Sequence, residues 1–244
     1  VLKAQEQNEF TVRDKDIIAL TESILARSQG NYCTVDDIAA DVKEKFGDST
    51  IGVIFPILSR NRFAIVLRGA KKIVLQLGYP SDEVGNHLVD YDALDAAGVD
   101  PYEDVLTEEE FVEKFGRPCH TFTGVDYVSY YKNIIQSEGC EVEIIFANKP
   151  KAVLAYTDSV INCDIHTRFR TKRLLKAAGA KKVYGMDDIM TASRNGSGYN
   201  DKYGLLGSNK ATEESIKLFP INCMEFVESV QKLMFEKTGK LVEV

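Results

Sequence analysis

The hydrophobic and polar positions in the first fifth of the chain predict a helix. Ile38, Val42 and Phe46 recur every fourth residue, the spacing of one buried helix face. Thr34 and Asp37 precede this face with the spacing of a capping box, in which each residue bonds the other's backbone N–H. The helix is therefore predicted to begin near Thr34.

Short apolar runs in the first half predict strands. Residues 16–21 (DIIALT) form a β-rich run, and the polar residues after it (SILARSQGNY, 23–32) are interpreted as a turn. Residues 51–70 form the most apolar stretch, but charged residues interrupt its centre, so we expect a buried element of a soluble fold and no membrane span. Residues 72–77 (KIVLQL) predict a buried strand.

The second half shows a more regular pattern. Thr107 and Glu110 form a second capping-box spacing, which opens a short helix ending near Gly116. From residue 139 onward, strand-like and helix-like runs alternate as 140–147, 150–159, 160–165, 171–180 and 181–186. This β-α-β-α-β stretch predicts parallel strands covered by helices, in an α+β or mixed α/β fold. A helix at 224–237 and a terminal strand follow.

The domain organisation is predicted from composition. We expect one domain over residues 1–244, with two lobes separated near 80–105, where the sequence is acidic and irregular. The chain opens inside a predicted helix and stops in a predicted strand, so we expect parts of the natural protein beyond both ends.

Composition and charge exclude several classes of protein. The 244 residues are 44% apolar and 27% charged, which excludes wholesale disorder and a disulfide-stapled miniprotein. The net charge of −7 argues against nucleic acid or an anionic membrane as the main partner. Five scattered cysteines and the absence of a secretory pattern at the N-terminus predict a reducing, cytoplasmic location.

A turn rich in hydroxyl groups is the first candidate site. Ser23, Arg27 and backbone N–H groups near Gly30 are suited to bind a phosphate, since a guanidinium offers paired donors to its oxygens. The alternative, which residue types alone favour, is a solvated loop with Gly30 at positive φ.

Two aspartates are the next candidates for a ligand-binding site. Asp126 stands at a helix start and is either a first-turn acid or a metal carboxylate with Ser129 one turn further on. Asp164 follows a predicted strand and is flanked by His166 and Arg168. The alternative is that the histidine packs or faces solvent and the arginine lies on a solvated helix face.

The segment 193–212 is rich in glycine, serine and asparagine. Its G-x-x-G-x-x-K spacing (204–210) differs from that of a phosphate-binding P-loop, so a mobile, substrate-covering loop is an equal alternative. Three histidines without a His/Cys cluster argue against a zinc site. Neither a G-x-S-x-G elbow nor a G-x-G-x-x-G fingerprint is present.

Taken in order, these segments resemble the motifs of the coenzyme F-420:glutamate γ-ligase family. Residues 22–30 (ESILARSQG) are similar to the family's S-T-x-x-S-K-A-E-G, with Arg27 at the lysine and Gln29 at the acid. Residues 122–129 (FTGVDYVS) are similar to N-A-G-[IV]-D-x-S-N.

The later two motifs resemble the family with departures in each. Residues 164–168 (DIHTR) are similar to D-T-x-G-R, with Ile165 at the threonine. Residues 195–205 are similar to D-x-x-G-x-x-D-x-Y-G-R, with Leu205 at the arginine. The family's N-terminal acidic-glycine segment has no counterpart here. These departures put the acceptor substrate in question more than the nucleotide.

The resemblance implies a role for each matching residue. It implies catalytic residues Asp126, Asp164 and Arg168. It implies metal ligands Asp126, Asp164 and Glu236. It implies nucleotide contacts Glu22, Ser23, Arg27, Gly30, Ser129 and Glu236. It implies a substrate loop containing Asn195, Gly198, Asp201, Tyr203 and Gly204.

The resemblance also implies a reaction. Family members use GTP and Mg²⁺ or Mn²⁺ to join a carboxylate acceptor to glutamate through an acyl phosphate, and they are homodimers. We expect a small-molecule carboxylate and an amino acid as substrates, with GTP favoured over ATP. One alternative is a non-catalytic or regulatory nucleotide-binding protein, which the apolar residues Ile165 and Leu205 motivate. Another is a metal-dependent phosphohydrolase that uses the same acidic pair.

Overall fold

A computed structural model of the chain describes residues 1–56, 70–79, 89–120, 124–212 and 214–244. Its α-helices are α1 (Leu2–Asn8), α2 (Glu22–Ser28), α3 (Val35–Phe46), α4 (Tyr91–Ala96), α5 (Glu108–Phe115), α6 (Tyr127–Ser137), α7 (Arg168–Ala177) and α8 (Cys223–Thr238). Its strands are β1 (Tyr32–Thr34), β2 (Ile51–Ile54), β3 (Lys72–Leu77), β4 (Leu106–Thr107), β5 (Glu141–Phe146), β6 (Ser159–Asn162), β7 (Lys182–Gly185), β8 (Asn209–Lys210) and β9 (Ser215–Lys217). Two 3₁₀ turns cover Pro150–Ala155 and Met186–Asp188.

The main sheet has six strands in the order β4-β5-β3-β2-β6-β7. All of its pairings are parallel except that of β4 with β5. The chain therefore runs outward from β2 through β3 to β5, and then returns to the other side of β2 to add β6 and β7. This is a doubly wound arrangement, and its direction reverses between β2 and β6.

Both faces of the parallel strands are covered. Every residue of β2 and β6 is buried, as expected for parallel strands between two layers. One face packs on α3 and α6, and its core includes Ile38, Phe46 and Tyr131. The other packs on the 150–155 turn and α7 through Val153 and Leu175. The predicted mixed α/β class and parallel β-α-β-α-β stretch are confirmed, with a 3₁₀ turn in place of the first predicted helix.

A second sheet has three short antiparallel strands in the order β1-β9-β8. Tyr32 pairs with Lys217, which joins the start of the chain to its last quarter. This small sheet carries α2 on the N-terminal side of β1 and leads directly into α3.

The predicted helix starts are confirmed. Thr34 and Asp37 form the complete capping box of α3, and Thr107 and Glu110 form that of α5. The predicted strand at 72–77 and helix at 224–237 are also present, as β3 and α8. In the apolar stretch 51–70, β2 is buried, whereas residues 57–69 lie outside the described part of the chain.

Four local predictions are wrong. Residues 16–21 form no strand and make only one parallel bridge, between Ile17 and Glu243. The predicted terminal strand is likewise absent, and Glu243 takes part only in this bridge. The predicted turn after them is the helix α2, because Leu25 and Ala26 are buried against the fold. The segment predicted to be irregular contains α4, capped by the side chain of Asp90. Of the helices described, none has the length and apolar character needed to cross a membrane.

Candidate functional site

The carboxyl ends of the parallel strands bring both predicted aspartates to one edge of the main sheet. Asp164 follows the end of β6, beside the point where the strand order reverses. Helix α6 leads into β5, so it ends at the amino edge of the sheet, where the Glu141 N–H donates to the Lys71 carbonyl. The start of α6, with its N-cap Asp126, therefore lies toward the carboxyl edge, as Asp164 does. Doubly wound folds bind their ligands at this edge.

The Asp164 carboxylate organises the start of α7. It accepts hydrogen bonds from the Thr167 N–H at 2.9 Å, the Thr167 hydroxyl at 2.5 Å and the Thr171 hydroxyl at 2.8 Å. A carboxylate offers about four lone-pair directions, so roughly one remains for an external group. Asp164 is half-buried.

Asp126 is the N-cap of α6. Its carboxylate accepts the Ser129 N–H at 3.0 Å and the Ser129 hydroxyl at 2.6 Å, and the Arg117 guanidinium stands 3.8 Å away. Partial burial raises the pKa of this carboxyl, but the Ser129 hydrogen bonds and Arg117 outweigh it and hold the pKa below its ordinary value. Asp126 is thus ionised at neutral pH. Ser129 also accepts a bond from Arg117.

Arg168 is held inside the protein. Its guanidinium bonds the Asp187 carboxylate at 3.2 Å and the Ile165 carbonyl at 2.7 Å, and lies over the Phe169 ring at 4.3 Å. The Lys172 ammonium also contacts the Asp187 carboxylate, at 2.7 Å. Asp187 and Asp188 were not among the predicted site residues, although two consecutive aspartates just after a strand were an available signal. The described contacts give Arg168 a structural role, and its predicted catalytic role stays a prediction.

The predicted three-carboxylate metal group is not assembled. Among the described residues, no three His, Cys, Asp or Glu side chains lie close enough together to hold a metal ion. Glu236 lies on α8, which packs in a separate cluster around Met234 and Val242. Mg²⁺ commonly takes only one or two protein carboxylates and completes its shell with phosphates and water. The roles of Asp126, Asp164 and Glu236 as metal ligands stay predictions.

The predicted phosphate-binding residues lie on and after α2. Ser23 and Arg27 are one helical turn apart, so they share a face. The Ser23 hydroxyl accepts a hydrogen bond from Lys217, a residue that was not among the predicted site residues. Arg27 and Glu22 are exposed, and Gly30 has the predicted positive φ of 63°.

The glycine-rich segment packs against β1 through buried amides. The Asn31 side chain donates to the Tyr199 and Phe219 carbonyls at 2.9 and 2.6 Å and accepts from the Tyr199 N–H at 3.0 Å. Gly198 lies so close that a Cβ there would stand 2.6 Å from the Tyr32 nitrogen. This end of the segment is fixed to the fold.

The rest of the predicted substrate loop is more open. Asn195 and Asp201 are exposed, and Tyr203 packs edge-on against Phe219 with 5.7 Å between ring centroids. Gly204 is buried, with a φ of 49° and no room for a Cβ beside the Ile189 carbonyl. The loop therefore has solvent-exposed side chains between two ends that pack against the fold.

The doubly wound sheet, with two ordered carboxylates at its carboxyl edge, defines an α/β protein of the kind that binds a ligand at that edge. A family model described as F420-0:gamma-glutamyl ligase matches residues 1–244, so the chain belongs to that family, and the resemblance found in its motifs is confirmed. A γ-glutamyl ligase family is one of amide-forming enzymes. No curated protein and no solved structure matches the chain significantly.

Proposed function

We propose that this protein is a GTP- and divalent-metal-dependent ligase that joins the carboxylate of a small acceptor to the amine of glutamate or a similar amino acid. The observation that carries the proposal is the family match over the whole chain. The position of Asp126 and Asp164 at the ligand-binding edge supports it. A homodimer in the cytoplasm is part of the same proposal.

The chemistry has two transfers. An acceptor carboxylate oxygen attacks the γ-phosphorus of GTP, GDP leaves, and an acyl phosphate forms. The amine nitrogen then attacks the acyl carbon, phosphate leaves, and the nitrogen loses a proton. Such reactions need position and charge more than covalent help from the protein.

Each group of site residues would have its own role in this reaction. Asp126 and Asp164 would hold Mg²⁺ or Mn²⁺, which supplies positive charge against the transferring phosphate. Arg27 and Ser23 would bind phosphate oxygens. The 195–204 segment would cover the acceptor and exclude water from the acyl phosphate, with Asp201 and Tyr203 toward the substrate.

Thermal unfolding with GTP, ATP or neither, each with and without Mn²⁺, tests the binding step. A ligand at 100 times its Kd adds about 2.7 kcal/mol to the free energy of unfolding. We expect a shift that needs both nucleotide and metal, and its loss in Asp126→Asn and Asp164→Asn. Asparagine still caps a helix, so Asp126→Asn should fold. Asp164→Asn keeps an oxygen that can accept the Thr167 N–H and should also fold. Glu236→Gln is the matched control and should keep the shift.

Turnover separates the proposal from its alternatives. Incubation with GTP, Mn²⁺, glutamate and a panel of carboxylic acids should give GDP, phosphate and an amide in equal amounts. Nucleotide binding without turnover would favour a non-catalytic binding protein, which the buried Leu205 also favours because it packs in the core where the family has arginine. Phosphate release that does not depend on an amine would favour a phosphohydrolase.

A further inference from the structure

Lys217 is a lysine in an unusual position. It ends β9, the middle strand of the small sheet. The residue is only 7% exposed, whereas lysines are rarely buried without a partner of opposite charge. Its ammonium donates to the Ser23 hydroxyl at 2.5 Å. Within the described ranges, no carboxylate lies within ion-pair distance of it. An ammonium in this state has hydrogen-bonding capacity that the described protein does not use.

The groups around Lys217 include several hydrogen-bond donors. The ammonium has three N–H bonds and uses one on Ser23, whose own hydroxyl hydrogen has no acceptor in the described part of the chain. Arg27 follows Ser23 by one turn of α2 and is exposed. Tyr32 and Asn209 stand directly opposite Lys217 on the flanking strands and therefore share its face of the sheet.

We propose that Lys217 is a phosphate-binding residue, and that Ser23 positions its ammonium beside the Arg27 guanidinium to form an oxyanion site. The inference rests on the proposed function, because the phosphate would be that of the nucleotide. The ammonium supplies a point charge and the guanidinium supplies paired donors, a combination that suits a di- or triphosphate. Glu22 is exposed on α2, and none of the described contacts joins it to Lys217.

Binding of inorganic pyrophosphate, measured by calorimetry, tests the site without the nucleotide base. Lys217→Met keeps the apolar stem and removes the charge, and we expect it to weaken pyrophosphate binding by about 10- to 100-fold, the size expected for a hydrogen bond to a charged group. Lys217→Arg keeps the charge and should retain most of the affinity. Lys210→Met, on the adjacent strand β8, removes an exposed charge from the same sheet and should change nothing.

The same titration with GTP and Mn²⁺ separates the two proposals. Wild-type affinity for both ligands in Lys217→Met overturns the phosphate site and leaves the ligase proposal standing. Equal losses in Lys217→Met and Lys210→Met also overturn the site, because they report net charge alone. Lys217-dependent binding of pyrophosphate without any binding of GTP supports the site and overturns the use of GTP. If the wild type binds neither ligand, both proposals are overturned.

A labelling experiment on the wild type covers the case in which Lys217→Met does not fold. An acyl phosphate derivative of GTP transfers its acyl group to a lysine amine near the phosphate and releases GTP. We expect the acyl group on the peptide that contains Lys217, and protection by excess pyrophosphate. Labelling of other lysines only, or labelling that pyrophosphate does not reduce, overturns the site.

Discussion

The guanidinium of Arg194 donates to the carboxylate of Asp41 at 2.5 Å, across 153 positions of the chain. Asp41 lies inside α3 and is only 2% exposed, and it also accepts from Lys45 at 2.6 Å and from the Met190 N–H at 2.9 Å. A buried acid thus ties the start of the glycine-rich segment to a helix of the main layer.

Replacing Asp41 with asparagine should destabilise the fold. The amide keeps the size of the side chain but leaves Arg194 and Lys45 without their shared negative charge. Breaking a buried ion pair from one side commonly costs 3–5 kcal/mol, and we expect about 3 kcal/mol here because Arg194 is partly exposed. Urea unfolding measures the loss.

Asp48 is the matched control for that variant. It pairs with Lys43 and Lys71, and all three side chains are well exposed. Exposed ion pairs contribute little to stability, so Asp48→Asn should unfold at the wild-type urea concentration. An equal loss in both variants would contradict the role assigned to the buried acid.

The stability of the protein should fall in acid in part through Asp41. Burial raises the pKa of this carboxyl, but hydrogen bonds from Lys45, the Met190 N–H and Arg194 outweigh burial and hold it below 3.8, the ordinary value. The unfolded chain therefore binds the proton first as the pH falls. The contribution is complete above pH 3.8 and is lost as the pH drops through the folded pKa.

Urea unfolding as a function of pH checks this. The difference in unfolding free energy between the wild type and Asp41→Asn should be constant from about pH 5 to 8 and should shrink below about pH 4. A difference that instead grows in acid would contradict the direction of the pKa shift.

The parts of the fold that could be predicted are those with a strong local signal. The alternation after residue 139 could be predicted because the strands contain short apolar runs, 144–146 in β5 and 160–161 in β6. Helix α3 is legible because its capping box and its apolar spacing agree. Helix α2 has seven residues, and only two of them are buried. Two buried positions are too few to show the spacing of a helix face, so its polar residues suggested a turn. The small sheet pairs Tyr32 with Lys217, which no local pattern indicates.

The candidate site divides in the same way. The place of Asp164 follows from its order after a strand, and its position at the carboxyl edge needed no long-range information. The contact between Ser23 and Lys217 depends on the pairing of β1 with β9 and was hidden in the sequence. The buried Asp41 bonds the Met190 N–H and Arg194, which lie 149 and 153 positions away, so no local pattern could predict these contacts.

Restoring the family's acid at position 29 should weaken the fold. The Gln29 amide donates to the Ile221 carbonyl at 2.7 Å and accepts the Ile221 N–H at 3.1 Å. A carboxylate can only accept, so Gln29→Glu would face the carbonyl with a negative oxygen. We expect a loss of about 1 kcal/mol in urea unfolding, the usual value of one hydrogen bond. A gain in stability would show that the segment moves to accommodate the acid.

Gly198→Ala should disrupt the joint between the glycine-rich segment and β1. The added Cβ would stand 2.6 Å from the Tyr32 nitrogen and 2.8 Å from the Asn31 carbonyl carbon, and backbone atoms cannot rotate away as a side chain can. Overpacking of this kind usually costs 1–3 kcal/mol, and we expect about 3 kcal/mol in urea unfolding. Gly139→Ala is the control, because its φ of 75° is strained but a Cβ there meets nothing within 4 Å. It should cost about 1 kcal/mol. Equal losses would mean that the segment can move away from β1.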